Sequence, residues 1–377
     1  MTLYSPRLHF ERLSGYDVQP TAATVPGIRV PPSESRVPGN STWFEALQHK
    51  PSYPAMIHDL RSLEPALKYL LDGLSTTDTT YAAANDRAER YARSLENDRD
   101  FGVVGTRIGG SIGKGTAIAP LSDVDLYVYL SQEHWRTSRR EALLPSTVIG
   151  RLRARIVKRL HFEISEGHVS IRSQKHSVGI RFRKPNSVGI DVVPALVENG
   201  DASEALIPRR GTDEFVETSV ERQIDLIKRL DSPFRYLRRG IRLLKFWNRQ
   251  TDVGLHSYAV EVLGMHAVHR DCKRTDTGVF LSALRFIAAT DMRSPVYIDH
   301  FFRFSPRARR SCIIMDPAMP NNNLGELLDA RDGYRLGAAA RSTLRKLDKA
   351  ADFADRGNMR ISAECLSEAF GQPRLFR

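Results

Sequence analysis

Gly109-Gly110-Ser111-Ile112-Gly113-Lys114-Gly115-Thr116 and, a short connection later, Ser122-Asp123-Val124-Asp125-Leu126 form the stretch on which the reading of this chain turns. The glycines close a run, VVGTRI (103–108), that reads as a strand entering a turn, and VDLYVYL (124–130) alternates as a second strand. Side chains two apart on a strand share a face, so Asp123 and Asp125 project together. Two carboxylates so placed repel each other, which is costly unless a cation lies between them. Hard oxygen ligands at this spacing suit Mg²⁺, which takes one or two carboxylates and completes its shell with phosphate oxygens and water. The glycine turn offers backbone N–H groups and the Ser111 hydroxyl at close range to a phosphate, and Lys114 adds a point charge. This is not a Walker A loop: Gly113-Lys114 is followed by Gly115 rather than Ser or Thr, and the loop leads to a D-x-D strand.

A third carboxylate is needed to bind a second metal and to take up the proton of an attacking hydroxyl. Asp191, in VGIDVVPA (188–195), sits among apolar β-branched residues on what reads as a central strand. An aspartate there is costly without a partner, which marks it as a candidate for the same site.

Outward from this centre, HVSIR (168–172) and SVGIRFR (177–183) read as further short strands, and the pattern turns mostly helical from Glu214 onward, with a loop at 305–323. Before the core, a short helical pattern covers 55–73, and a long helix follows with Asp78 or a neighbouring Thr as its N-cap. Tyr81, Ala84, Ala88, Tyr91 and Leu95 recur at steps of three and four, so one stripe of that helix packs inward. Residues 1–54, rich in Pro, Ser, Gly and Thr, read as an irregular N-terminal extension. The expected organisation is an extension (1–54), a mixed α/β core with its preceding helix (55–214) and a helical domain (215–377), with the long helix bridging core and helical domain.

The 377 residues are 41% hydrophobic and 27% charged, the balance of a globular chain rather than a disordered one. No run approaches the roughly 18–20 apolar residues a transmembrane helix needs, and the N-terminus lacks the basic and apolar regions of a secretory signal. Three scattered cysteines, Cys272, Cys312 and Cys365, exclude a disulfide scaffold and fit a reducing, cytoplasmic setting.

The formal net charge is +12. Arg136–Arg159 holds eight basic residues against the single acid Glu141, and Lys228–Arg249 holds eight against Asp231. Fields so focused attract polyanions, either nucleic acid or nucleotide triphosphates, unless they are solvated helix faces. On a helix, Arg238, Arg242, Lys245 and Arg249 fall within about 60° of arc beside an apolar stripe of Phe234, Leu237, Ile241 and Leu244, a basic ridge fit to border a cleft.

The pattern G-S-x-G-K-G-T, S-D-x-D and a distant single Asp resembles the polymerase-β-like nucleotidyltransferase superfamily, an α+β fold with a mixed sheet flanked by helices. More narrowly, it is similar to the cGAS/DncV-like nucleotidyltransferases (CD-NTases). GIRLLKFWNRQ (240–250), HSYAVEVLGMHAV (256–268) and CIIMDPAMPNNNLGE (312–326) resemble oligoadenylate-synthetase motifs, so the likeness spans roughly 75–326. It implies an active site in the cleft between the core and a C-terminal helical domain. Asp123, Asp125 and Asp191 would hold two Mg²⁺ ions (or Mn²⁺), and Gly110, Ser111 and Lys114 would hold a donor triphosphate. Arg242 and Lys245 would reach the donor phosphates from the helical domain, with Ser257 and Tyr258 nearby; oligoadenylate synthetases usually carry Gln at the Ser257 position. The implied activity is template-independent joining of NTPs into a cyclic oligonucleotide messenger with release of pyrophosphate, in bacterial anti-phage signalling through a separate effector. A linear 2′-5′-oligoadenylate synthetase, an RNA-terminal nucleotidyltransferase or an inactive nucleic-acid sensor are the other readings, in which the basic surfaces hold nucleic acid.

His266, His269 and Cys272 form H-x-x-H-x-x-C, but the clustered cysteines of a zinc thumb are lacking, so no structural zinc is expected. Trp247 reads as core packing rather than as a base-stacking surface. Tyr258 is favoured for stacking through the resemblance.

Overall fold

The computed structural model describes residues 60–376 apart from 76–77, 97, 99–100, 137–142, 185–186, 213, 233–235, 252, 270–272, 299–311, 320 and 373–374. The predicted N-terminal extension (1–54) lies outside the described residues, as do Arg139, Arg140, Phe234, Arg235 and Cys272. Seven strands form one mixed sheet: β1 (Val103–Ile108), β2 (Asp123–Ser131), β3 (Val169–Ser173), β4 (Val178–Phe182), β5 (Gly189–Val197), β6 (Ala205–Pro208) and β7 (Phe215–Thr218). Their order is β1-β2-β5-β4-β3, with β6 on β5 and β7 on β6. Only β2 and β5 run parallel; the other pairs are antiparallel.

The helices are α1 (Glu64–Leu74), α2 (Asp78–Glu96), α3 (Gly110–Gly113), α4 (Pro145–Arg159), α5 (His161–Ser165), α6 (Val220–Asp231), α7 (Tyr236–Asn248), α8 (Ser257–His269), α9 (Asp276–Thr290), α10 (Ala330–Asp355) and α11 (Met359–Ala369). Alternation on the sheet does what the sequence pattern requires. Leu126, Val128, Ile190 and Val192 turn to one face and are buried against Val148, Ile149, Leu152 and Ile156 of α4 and Ala92 and Leu95 of α2. The other face carries the aspartates at one end and a smaller apolar cluster of Tyr129, Ala195, Val197 and Ala205 at the other.

A second core joins α1 to the C-terminal helices through Leu67, Leu71, Ile241, Leu244, Phe280, Leu336 and Phe370. The bridge expected of the long helix is thus shared. Ala84 and Ala88 of α2 pack beside the sheet with Ile112 and Val124, while α1, just before it, belongs to the helical core. Among the described residues no helix is long and apolar enough to cross a membrane.

Several elements depart from the sequence reading, which assigned neither α5 (His161–Ser165) nor β6 (Ala205–Pro208). α4 occupies a segment read only for its charge, although Val148, Ile149, Leu152 and Ile156 follow the helical period. Phe215–Thr218, read as the start of helix, is an edge strand; the helical run begins after it at Val220, where the Ser219 side chain accepts the Arg222 N–H at 3.3 Å.

Asp98, 4% exposed, is clamped by the guanidinium of Arg155 and by Arg159 Nη2 at 2.7 Å, tying the end of α2 to α4. Hydrogen bonding from Arg155 holds the Asp98 carboxyl below its ordinary 3.8, with Arg159 adding to the effect against burial. A depressed carboxylate stabilises the fold above its unfolded value and stops doing so as pH falls through the folded one. Asp98→Ala is therefore expected to cost about 2 kcal/mol at pH 7, seen as a lower denaturation midpoint, and the deficit should shrink below pH 4.

Candidate active site

β2 carries Asp123 and Asp125 on the face opposite the buried Val124 and Leu126. The parallel register with β5 sets Asp125 beside Asp191 and Asp123 beside Gly189. One carboxylate oxygen from each of Asp123, Asp125 and Asp191 lies within 4.8 Å of the others, so the structure brings the three aspartates together. Among the described residues this is the one such acidic cluster. Burial, then the charges of Asp123 and Asp191, push Asp125 up to about 6 against the pull of Lys114. Burial also raises Asp191, resisted by Arg181. Three like charges held this close, with all-oxygen donors, make a set that fits hard divalent cations.

The glycine turn is stitched to this strand. Gly109 donates its N–H to the Asp125 carbonyl at 2.9 Å, and α3 follows as a single short turn. Gly110 has φ +57, and a Cβ there would lie 1.7 Å from Asp125 Oδ2. Both the left-handed backbone and the close approach demand glycine. Ser111 is half-buried on the same turn.

Lys114 and Lys245 point into a buried cluster centred on Glu261 of α8, a residue the sequence reading missed. Glu261 is 1% exposed. Its carboxylate meets Lys114 Nζ at 2.7 Å and Lys245 Nζ at 2.6 Å, and accepts the Thr116 hydroxyl at 2.6 Å. Burial alone would raise this carboxyl, but the two ammonium groups outweigh it and bring it down to about 2. Lys114 Nζ also sits 4.3 Å from the centroid of the Tyr258 ring. Tyr258 itself is buried and donates its hydroxyl to Asp316 at 2.8 Å, whereas Ser257, one residue earlier, is exposed.

The basic ridge of α7 lies along the same loop. Arg238 Nε donates to the Lys114 carbonyl at 2.9 Å, Arg242 Nη2 to the Gly115 carbonyl at 3.1 Å, Lys245 Nζ to Thr116 Oγ1 at 2.9 Å and Arg249 Nη1 to the Ala119 carbonyl at 3.0 Å. Arg242 Nε is buried with no partner among the described residues, leaving one donor beside the loop. Four arginines of the two basic windows are paired with buried or half-buried aspartates: Arg155 and Arg159 with Asp98, Arg238 with Asp231, Arg239 with Asp276.

Arg181 of β4 and Gln174 also escaped the sequence reading. Arg181 Nη1 lies 2.8 Å from Asp191 Oδ1 and Nη2 3.8 Å from Asp123 Oδ2; Gln174 Nε2 donates to Asp191 Oδ1 at 3.1 Å. Trp247, read as packing, is buried and donates to Thr343 at 3.0 Å. In the H-x-x-H-x-x-C segment, His266 is buried with Nδ1 2.7 Å from the Tyr297 carbonyl, and Cys272 lies outside the described residues.

Comparison with known proteins gives these features a context. Residues 62–230 match the family model of the Second Messenger Oligonucleotide or Dinucleotide Synthetase domain. The chain is 25% identical over 262 residues to the cyclic AMP-AMP-AMP synthase of Escherichia coli (strain MS 115-1), covering 64% of this chain and 76% of that protein. It is 26% identical over 302 residues to 2′-5′-oligoadenylate synthase-like protein 2 of Mus musculus, covering 67% of this chain and 57% of that one. The structure of E. coli MS115-1 CdnC with ATP superposes with a TM-score of 0.66 at 20% identity, over 84% of this chain and 98% of that one.

Glu261→Gln would leave two buried ammonium groups without their carboxylate. The expected loss is about 3 kcal/mol at pH 7 by denaturant titration. Because Glu261 is depressed from 4.5 to about 2, its contribution is complete above pH 4.5 and is lost as pH falls toward 2. The stability gap between wild type and variant should therefore narrow across that window.

Proposed function

We propose, from the premise that the chain is a cGAS/DncV-like nucleotidyltransferase, that it joins NTPs without a template into a cyclic oligonucleotide and releases pyrophosphate. The observation that carries this reading is the convergence of Asp123, Asp125 and Asp191 beside the Gly110–Gly113 turn. Divalent ions held by the three aspartates, two Mg²⁺ or Mn²⁺ in this reading, would neutralise the donor phosphates and favour deprotonation of the acceptor hydroxyl.

The chain's own residues do the rest. Backbone N–H groups of the turn and the Ser111 hydroxyl orient the triphosphate tail. Asp191, raised by burial, takes the proton of the attacking hydroxyl. Lys114, Arg242 and Lys245 contribute positive charge to the phosphate end of the cleft, with Ser257 and Tyr258 at its helical wall. Phosphoryl transfer demands little covalent chemistry of a protein, so positioning and charge account for most of the rate.

The match to the mouse oligoadenylate-synthase-like protein favours a linear product as the second reading. Nucleic-acid contact would fall on the surface cavity of about 630 Å³ lined by Arg153, Arg172 and Arg210, which includes no carboxylate. We place the enzyme in the cytoplasm, upstream of a separate effector that responds to its product in anti-phage signalling.

Incubation with all four labelled NTPs and Mg²⁺, with product mass determined before and after phosphatase, tests this reading. A cyclic product keeps its mass because it has no terminal phosphate, and a linear one does not. The double variant Asp123→Asn, Asp125→Asn is expected to lose pyrophosphate release by at least about a thousandfold while keeping the wild-type circular dichroism spectrum. Wild-type turnover in that variant would refute the assignment.

A further inference from the structure

The antiparallel strands β4 and β5 carry the same tetrapeptide, Ser177-Val178-Gly179-Ile180 and Ser187-Val188-Gly189-Ile190, followed by Arg181 in one and Asp191 in the other. Their register pairs Ile180 with Ile190 and Gly179 with Asp191. Continued by one residue, it sets Arg181 across from Gly189. Each charged residue thus faces a glycine on the opposite strand, and the two charges meet on the diagonal.

The glycines make the room. A Cβ on Gly189 would lie 2.5 Å from Arg181 Nη1, and one on Gly179 would lie 3.2 Å from Asp191 Oδ1 and 2.6 Å from Gln174 Nε2. Neither glycine has a positive φ. What glycine supplies here is space for the guanidinium and for the Gln174 amide, both of which bond Asp191 Oδ1. Gln174 is itself held, its Oε1 accepting the Ser177 hydroxyl at 2.7 Å.

The guanidinium does not serve Asp191 alone. It spans two of the three aspartates, 2.8 Å from Asp191 and 3.8 Å from Asp123. The nearby ammonium of Lys114 is engaged by Glu261 instead. Arg181 is 37% exposed, so its head can leave for solvent or for a substrate phosphate without unfolding the strand. A monocation bridging two carboxylates would be repelled by a divalent ion bound to those same carboxylates.

We propose that Arg181 is the counter-ion of the nucleotide-free triad, occupying the position that divalent cations take and giving way to them as they load. Arg181 is then a positioning residue that suppresses metal binding until substrate is present. This inference rests on the reading of the triad as a metal site, and the test separates the two.

Mn²⁺ binding to the full chain without nucleotide, followed by the electron paramagnetic resonance signal of free Mn²⁺, reads the effect directly. Arg181→Met, which keeps the aliphatic stem and removes the charge, is expected to bind Mn²⁺ about tenfold more tightly than wild type. Arg181→Lys, which restores a cation, should return toward wild-type affinity. Circular dichroism and thermal unfolding check that each variant is folded, and Arg181→Gln provides the same neutralisation should the Met variant not fold. Equal or weaker binding by the neutral variant, with binding lost in the Asp123→Asn, Asp125→Asn double variant, overturns the role of Arg181 and leaves the metal site standing. Absence of Mn²⁺ binding in wild type and neutral variant alike, or wild-type binding in the double variant, overturns both.

Discussion

Everything at this site follows from one constraint, the parallel pairing of β2 with β5. A parallel pair holds its residues in step, so Asp125 and Asp191, 66 positions apart in the chain, become neighbours because their strands run the same way. Asp123 joins them through the two-residue period of β2. No local preference would assemble three carboxylates within 4.8 Å. The arrangement is tolerated because the opposite face of both strands is a packed apolar core that fixes their register. Slipping β2 by one residue would turn Asp123 and Asp125 into that core and Val124 and Leu126 out of it, and slipping β5 would do the same to Asp191 against Ile190 and Val192. The hydrophobic face therefore sets the geometry of the charged one.

The loop that borders the triad is fixed from the other side. α7 and the residue that follows it are bound to it in step, as Arg238, Arg242, Lys245 and then Arg249 follow Lys114, Gly115, Thr116 and Ala119. A helical ridge of cations reading a run of loop oxygens is a directional contact, and it ties the helical core to the turn that touches Asp125. Glu261, on α8, adds a second anchor through the same loop by way of Thr116 and Lys114. Motion of the helices relative to the sheet would be felt first at residues 114–119.

The parts of this picture that were legible in the sequence are those whose signal is local. D-x-D on an alternating strand, the glycine turn before it, and an aspartate among β-branched residues each carry their meaning within ten residues. The basic ridge of α7 was legible as a periodicity, but not its contacts: spacing shows that Arg238, Arg242, Lys245 and Arg249 share a face and says nothing of which oxygens face them. Arg181 and Gln174 were invisible for a related reason, since their importance depends on the register of β4 against β5. Glu261 did leave a trace. It is the one acid in an apolar helix, SYAVEVLGMHAV, where burial without a partner is costly. β7 was misread because four residues of alternation are too short to stand out before a long amphipathic helix.

Two charge clusters, the half-buried triad and the buried Glu261 group, are each unbalanced, and their signs are opposite. At the triad three carboxylates meet the single guanidinium of Arg181, an excess of negative charge. At Glu261 one carboxylate meets two ammonium groups, an excess of positive charge. Lys114 couples them, since it binds Glu261 and also lowers the proton affinity of Asp125. Excess charge in a low-dielectric setting is costly, and a fold selected for stability alone would neutralise each cluster with its own partners. The two lysines, 4% and 6% exposed, are turned to Glu261, so their excess acts on the site as a field rather than through a free ammonium group. In the proposed function the triad's excess is the one that divalent cations would offset, while the excess at Glu261 lends positive potential to the adjoining loop.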